Sequence, residues 1–316
     1  VQDDKVQDDK VQDDKVQDDT VQDDKKQINE VLDKITKISD IIALLKTRKK
    51  LRFDNKYIFK VKTNNQKKKI LKKYRSIDNW EKEKYIYNLL ISNNDLYLCD
   101  HIINIYDFIS FMNNKYILME QYTGDLFDLI EKKISYNKIN LINQLLEVYI
   151  HLWKQDITHN DIKLENILYK IINDDYIDIY LCDFETMQTN QSTEPILGTV
   201  KYLLPEIIAD YNPNKTDFKS SYHNNRLAND GWSLGIIFII IYVCHFPFEC
   251  ANKSDSYYQQ YLISTEQKKN KKWIKKYIEH YSDEKPLNEH IDLFSNLLQI
   301  NYQSRLDFLL KLINST

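Results

Sequence analysis

The chain has 316 residues, 42% apolar and 29% charged, with 44 Lys and Arg against 47 Asp and Glu and a formal net charge of -3 at pH 7. That length and apolar share suit one large domain or two lobes with a sizeable core, and the near balance of charge gives no argument for a polyanionic partner. Cys99, Cys182, Cys244 and Cys250 form no C-x-x-C pair, so neither a zinc site nor a disulfide framework is expected, and a reducing, intracellular setting (cytoplasm or nucleus) fits.

Residues 1–25 are five near-identical copies of V-Q-D-D-K, with Thr20 in place of one Lys. A five-residue period suits neither helix nor strand, and one apolar residue per copy is too little to bury, so 1–27 reads as a solvated, disordered tail. The remainder, 28–316, reads as one domain. From Ile28 to Leu45 apolar residues recur at helical spacing, compatible with an amphipathic helix or with a helix ending in a strand at 41–45. Two strand-like stretches in 51–62 flank Asp54-Asn55, a hairpin pattern. The basic cluster Lys67 to Arg75 reads as solvated surface. Residues 78–91 look helical, and strand-like runs follow near 102–111 and 115–120. After Gly124 helices are expected at 125–133, 138–155, 228–243 and 286–314. A strand pair, 167–172 and 177–182, interrupts them around Asn173-Asp174-Asp175. The apolar run Leu234 to Phe248 is short for a membrane span and reads as a buried helix, so no membrane span is expected. The layout is α+β, with a small sheet and one helix followed by a larger helical part.

One segment carries recognisable chemistry. His159 to Leu168 reads HNDIKLENIL, and the strand pair after it leads into CDFE at 182–185. Phosphoryl transfer from ATP needs a carboxylate to orient and deprotonate the acceptor hydroxyl and a lysine to offset charge on the moving group. It also needs oxygen ligands for magnesium. This pattern resembles the protein kinase family, from about residue 51 to 314, and implies a two-lobed kinase-like fold, with an N-lobe of about 28–120 and a C-lobe of about 125–316.

By that resemblance Asp161 is the catalytic base, Lys163 contacts the transferred phosphate, and Asn166 and Asp183 bind Mg²⁺. YIFK at 57–60 looks like the strand bearing the ATP-contacting lysine, Lys60, with Lys62 as runner-up and Ile58 covering adenine. Glu83 looks like the helix glutamate paired with that lysine, and Glu81 is the weaker candidate. YILMEQYTGDL at 116–126 is similar to the hinge: Met119 as gatekeeper, Glu120 and Tyr122 meeting adenine through backbone groups, Asp125 reaching the ribose. Leu168 belongs to the same ATP site. GTVKYLLPE at 198–206 resembles the end of the activation segment, with Thr199 bonding Asp161 and Lys163, and Glu206 paired with Arg305. DGWSLG at 230–235 resembles the start of the central helix, with Asp230 anchoring the catalytic loop.

The implied activity is ATP- and Mg²⁺-dependent phosphorylation of Ser/Thr hydroxyls in protein substrates. No nucleic-acid partner is evident, and the sequence is silent on oligomeric state. Three departures from the family pattern stand out. No glycine precedes Gly124, so the Gly-rich phosphate loop is absent and Lys46 to Lys50 lies in its place. Asn160 replaces the usual Arg before the catalytic Asp, and Glu185 replaces the Gly after Asp-Phe. H-N-D and D-F-E raise a small-molecule kinase of the choline or aminoglycoside type as the alternative. The missing glycines raise a non-catalytic scaffolding pseudokinase.

Overall fold

The computed structural model describes residues 57–62, 68–93, 95–111, 114–189, 192, 198–210 and 226–315. The repeat tail, the 28–45 segment, Lys46 to Lys50 and the first strand of the expected 51–62 hairpin lie outside them. The described residues fall into two compact units, 57–81 with 104–121, and 82–103 with 122–315.

The first unit is an antiparallel sheet ordered β1-β2-β4-β3, from β1 (Tyr57–Lys62), β2 (Lys68–Tyr74), β3 (Ile105–Phe111) and β4 (Asn114–Glu120). β1 pairs with β2, so the partner of YIFK is the lysine-rich segment read from sequence as solvated surface. That segment is a strand because its lysines have aromatic platforms. Lys69 Nζ lies 3.7 Å from the Tyr106 ring centroid and Lys72 Nζ lies 4.6 Å from that of Tyr74. Leu71, Lys72 and Tyr74 are buried. α1 (Ile77–Ser92) starts in this unit. Its Trp80 packs edge-on against Phe108 and donates its indole N–H to the Tyr116 carbonyl at 2.9 Å.

The second unit is mainly helical. Beyond the rest of α1 it contains α2 (Leu96–Asp100), α3 (Leu126–Glu131), α4 (Lys138–Lys154), α5 (Pro205–Asp210), α6 (Arg226–Val243), α7 (Ser256–Glu266), α8 (Asn270–Tyr281), α9 (Asn288–Leu297) and α10 (Tyr302–Ser315). Short polar side chains start several of these: Asp95, Asp125, Asn137 and Asp255 each accept a backbone N–H from the first turn. α6 is buried along nearly its whole length, apolar from Leu234 onward, and forms the core. It is long and apolar enough to cross a membrane, yet 94% of it is buried within the protein, where α4, α9 and α10 pack on it. Two glycines let the helices approach. A Cβ on Gly231 would lie 2.6 Å from Leu309 Cδ1, and one on Gly235 would lie 2.9 Å from Leu298 Cδ2.

Two small sheets complete the unit. One joins β5 (Gly124–Asp125), β7 (Ile167–Ile171) and β8 (Ile177–Leu181), and the other joins β6 (Ile157–Thr158) and β9 (Gln188–Thr189). The Asn173-Asp174-Asp175 turn forms because Asn173 Oδ1 accepts the N–H groups of Asp175 and Tyr176. The expected 286–314 helix is two helices. Asn301 breaks it, its side chain accepting the Ser304 N–H at 2.9 Å and opening α10. α2, α5, α7 and α8 had no sequence expectation.

Candidate active site

The loop between β6 and β7 is fixed from below by one buried carboxylate. Asp230, on the first turns of α6, accepts the His159 N–H and the Trp153 indole N–H on Oδ2, at 2.8 and 3.1 Å. Its Oδ1 accepts the Asn160 N–H at 2.8 Å. Burial pushes the Asp230 pKa up to about 7 against these three bonds. Asn160 adopts φ 66°, in the left-handed region that Asn tolerates better than most residues. That twist turns its amide toward the segment after Asp183. Asn160 Nδ2 donates to the Thr186 carbonyl at 3.0 Å, and the Thr186 hydroxyl returns a bond to the His159 carbonyl at 3.0 Å. The residue in place of Arg therefore ties the two loops together with neutral hydrogen bonds.

Asp161, Lys163, Asn166 and Thr199 meet at one point. Asp161 Oδ2 accepts Lys163 Nζ at 2.6 Å and Asn166 Nδ2 at 3.2 Å. Its Oδ1 accepts the Thr199 N–H at 3.1 Å and the Thr199 hydroxyl at 3.0 Å. Lys163 also donates to Thr199 Oγ1 at 3.2 Å. Burial works against the Lys163 charge, but the Asp161 carboxylate, followed by Asp183 and Glu165, outweighs it and raises the pKa. Tyr202, just after Thr199, is tied to the same loop: its hydroxyl accepts the Leu164 N–H and its carbonyl accepts Ser233 Oγ.

Asp183 sits beside this group in a left-handed conformation, φ 68° and ψ 65°. Carboxylate oxygens of Glu83, Asp183 and Glu185 lie within 4.8 Å of one another. Glu83 is fully buried on α1. Three hard oxygen donors at this spacing suit a small divalent cation such as Mg²⁺. Asn166 spends its amide N–H groups on the Asp161 carbonyl and carboxylate, which leaves its oxygen as the group it can offer a cation. In the same unit Asp125 and Leu168 are paired across β5 and β7, and Tyr122 is buried against Tyr180 and under Lys170 Nζ. Burial, then the charges of Asp128 and Glu165, pushes the Asp125 carboxyl up to about 6.

The other sequence-derived positions lie in the first unit. Met119 is buried in β4, opposite Ile70 on one side and Ile105 on the other. The Glu120 N–H is committed to the Asn104 carbonyl at 2.9 Å. Ile58 is half-buried on β1. Lys60 is exposed, on β1, the outermost of the described strands, opposite Ile70. The buried lysine is Lys72, 5% exposed, on β2 between β1 and β4. Lys72 follows Ile70-Leu71 as Lys60 follows Ile58-Phe59, so the local pattern does not separate the two lysines.

A buried ion pair lies within the second unit. Arg305, with no exposed side-chain surface, pairs with Glu206 at 3.0 Å, donates to the Gln299 carbonyl, and lies 5.5 Å from the Trp232 ring centroid.

Comparison with known proteins agrees with this geometry. The protein kinase domain family model matches residues 21–313. The serine/threonine-protein kinase cds1 of Schizosaccharomyces pombe is 33% identical over 199 residues, 60% of this chain and 39% of that protein. The serine/threonine-protein kinase SBK1 of Danio rerio is 28% identical over 53% of this chain and 43% of its own length. A serine/threonine-protein kinase 1 from a Heliothis zea nuclear polyhedrosis virus is 27% identical over 54% of this chain and 59% of its own length. The chain thus spans less than two thirds of each of these relatives. With a family match over nearly its whole length, on a β-rich N-terminal region and a helical C-terminal region, the chain belongs to the protein kinase family.

Proposed function

We propose that this chain transfers the γ-phosphoryl group of Mg²⁺-bound ATP to Ser/Thr hydroxyls of protein substrates. The observation that carries the reading is Asp161, held by Lys163, Asn166 and both donors of Thr199. A carboxylate has about four lone-pair sites, and these four donors occupy them. The acceptor hydroxyl therefore exchanges with one of them, the long Asn166 bond being the weakest, and then gives its proton to Asp161. Lys163 stays in place to offset charge on the transferred group. Asn166 and Asp183 are the magnesium-binding residues in this reading. Bound Mg²⁺ supplies neutralisation of the phosphate charge.

In this reading Lys72 takes the place of Lys60 as the ATP lysine. The burial of Lys72 supports this, because a desolvated lysine attracts a phosphate far more strongly than an exposed one. Met119, Glu120, Tyr122, Asp125 and Leu168 remain the adenine and ribose positions. The four free cysteines support work in a reducing compartment, cytoplasm or nucleus.

The test is phosphate transfer from Mg²⁺-ATP to casein, to choline and to aminoglycosides, with Asp161→Asn as control. Transfer to Ser/Thr of casein that Asp161→Asn abolishes is expected. Transfer to the small molecules alone, or no ATP turnover by the unmodified chain, would overturn the proposal.

A further inference from the structure

α8 carries a charge pattern that the kinase reaction does not use. From Lys268 to Ile278 the sequence is KKNKKWIKKYI, with no acidic residue. Ile274, Tyr277 and Ile278 are buried, and Trp273, Tyr277 and Tyr281 stack along the helix at 4.9 Å spacings. Every lysine is therefore turned outward and exposed. Lys271 is neutralised by Asp292 at 2.7 Å, and Lys275 lies 3.9 Å from Glu279. Lys268, Lys269, Lys272 and Lys276 have no acidic partner among the described residues. Lys269, Lys272 and Lys276 follow each other at three- and four-residue intervals on one side of the helix. Like charges at this spacing repel and destabilise a helix.

The matching anion is in the same chain. Residues 1–25 contain ten Asp in five adjacent pairs and only four Lys, a net charge of -6. Since the whole chain is -3, the remaining residues carry +3. Residues 26–56 separate the repeats from β1, and even with the expected 28–45 helix their contour is roughly 70 Å, several times the ~18 Å radius of gyration of a domain of this size.

We propose that the V-Q-D-D-K repeats dock intramolecularly on the Lys269–Lys272–Lys276 face of α8. Adjacent aspartates set one carboxylate pair per repeat against the lysine row. Single exposed ion pairs are weak and salt-screened, so tethering at an effective concentration of about millimolar makes the contact persist. It dissolves as ionic strength rises.

The test uses full-length chain, an equal mixture of ¹⁵N-labelled and unlabelled protein, coupled with a zero-length carbodiimide at low salt and mapped by mass spectrometry. Expected are bonds between aspartates of 1–25 and Lys269, Lys272 or Lys276, within one isotopic label. They should fall at least fivefold in about 0.5 M salt, where the Debye length is about 4 Å. Lys272→Glu with Lys276→Glu should lower the yield by a similar factor at unchanged melting temperature. Changing Asp18, Asp19, Asp23 and Asp24 to Lys in that variant should restore coupling with reversed polarity. The proposal is overturned if the repeats couple preferentially to Lys46, Lys49 and Lys50, if coupling spreads over exposed lysines generally, or if it occurs only between copies.

Discussion

Replacing Arg305 by Met tests how the end of the activation segment is held. Arg305 is completely buried, its guanidinium bonded to Glu206 and the Gln299 carbonyl and lying near Trp232. Burial lowers its pKa against the opposing pull of Glu206, yet a guanidinium stays protonated, so Glu206 is the counter-ion of a permanent buried cation. Met fills much of the volume but leaves the Glu206 carboxylate, whose side chain is 18% exposed, without its counter-ion. Removing one partner of a buried pair costs about 3–5 kcal/mol. At about 2–4 °C per kcal/mol for a domain somewhat smaller than this one, the melting temperature should fall by roughly 6–20 °C, toward the lower end for a chain of this size. Glu206→Gln should cost less, because an amide oxygen still accepts from Arg305. The double variant should be less destabilised than the two losses combined, with a coupling of about 2 kcal/mol by urea denaturation. Melting of Arg305→Met within 2 °C of the parent, or no coupling, would refute the argument that this pair holds the segment.

Asp161→Asn should lower phosphate transfer by about 10²–10⁴-fold while leaving the melting temperature within a few degrees, read by radiolabelled transfer and calorimetry. Lys72→Ala should weaken Mg²⁺-ATP binding at least tenfold, whereas Lys60→Ala should stay within twofold; equal losses in an ATP titration would return the role to Lys60. Asp125 has a folded pKa of about 6 against 3.8 unfolded, so the folded state holds its proton more tightly. Relative to Asp125→Asn, which keeps the helix cap, the parent is most stable below pH 3.8. It loses that advantage as pH rises to 6, by about 2 kcal/mol once partial exposure is allowed for. Urea melts at pH 4 and pH 7 measure the difference, and a constant offset would contradict it.

Much of the chemistry was legible in the sequence because it is local. Asp161, Lys163 and Asn166 lie within six residues, and their spacing alone brings them onto one loop. The capped helix starts at Asp125 and Asn137, and the Asn173 turn, follow from side chains bonding neighbouring backbone groups. The apolar run from Leu234 could only be stable buried.

Other features depend on partners far along the chain. A lysine on β1 and a lysine on β2 look alike in sequence. Only strand order, which sets one strand outside and the other between two neighbours, separates exposed Lys60 from buried Lys72. The strand around Lys72 itself needs the aromatic rings of Tyr106 and Tyr74 to hold its lysines. Asp230 meets His159 across 71 residues, and Glu206 meets Arg305 across 99. Motif spacing and the family resemblance it carries named the catalytic groups, while long-range packing decided which charges lose their water and so act strongly.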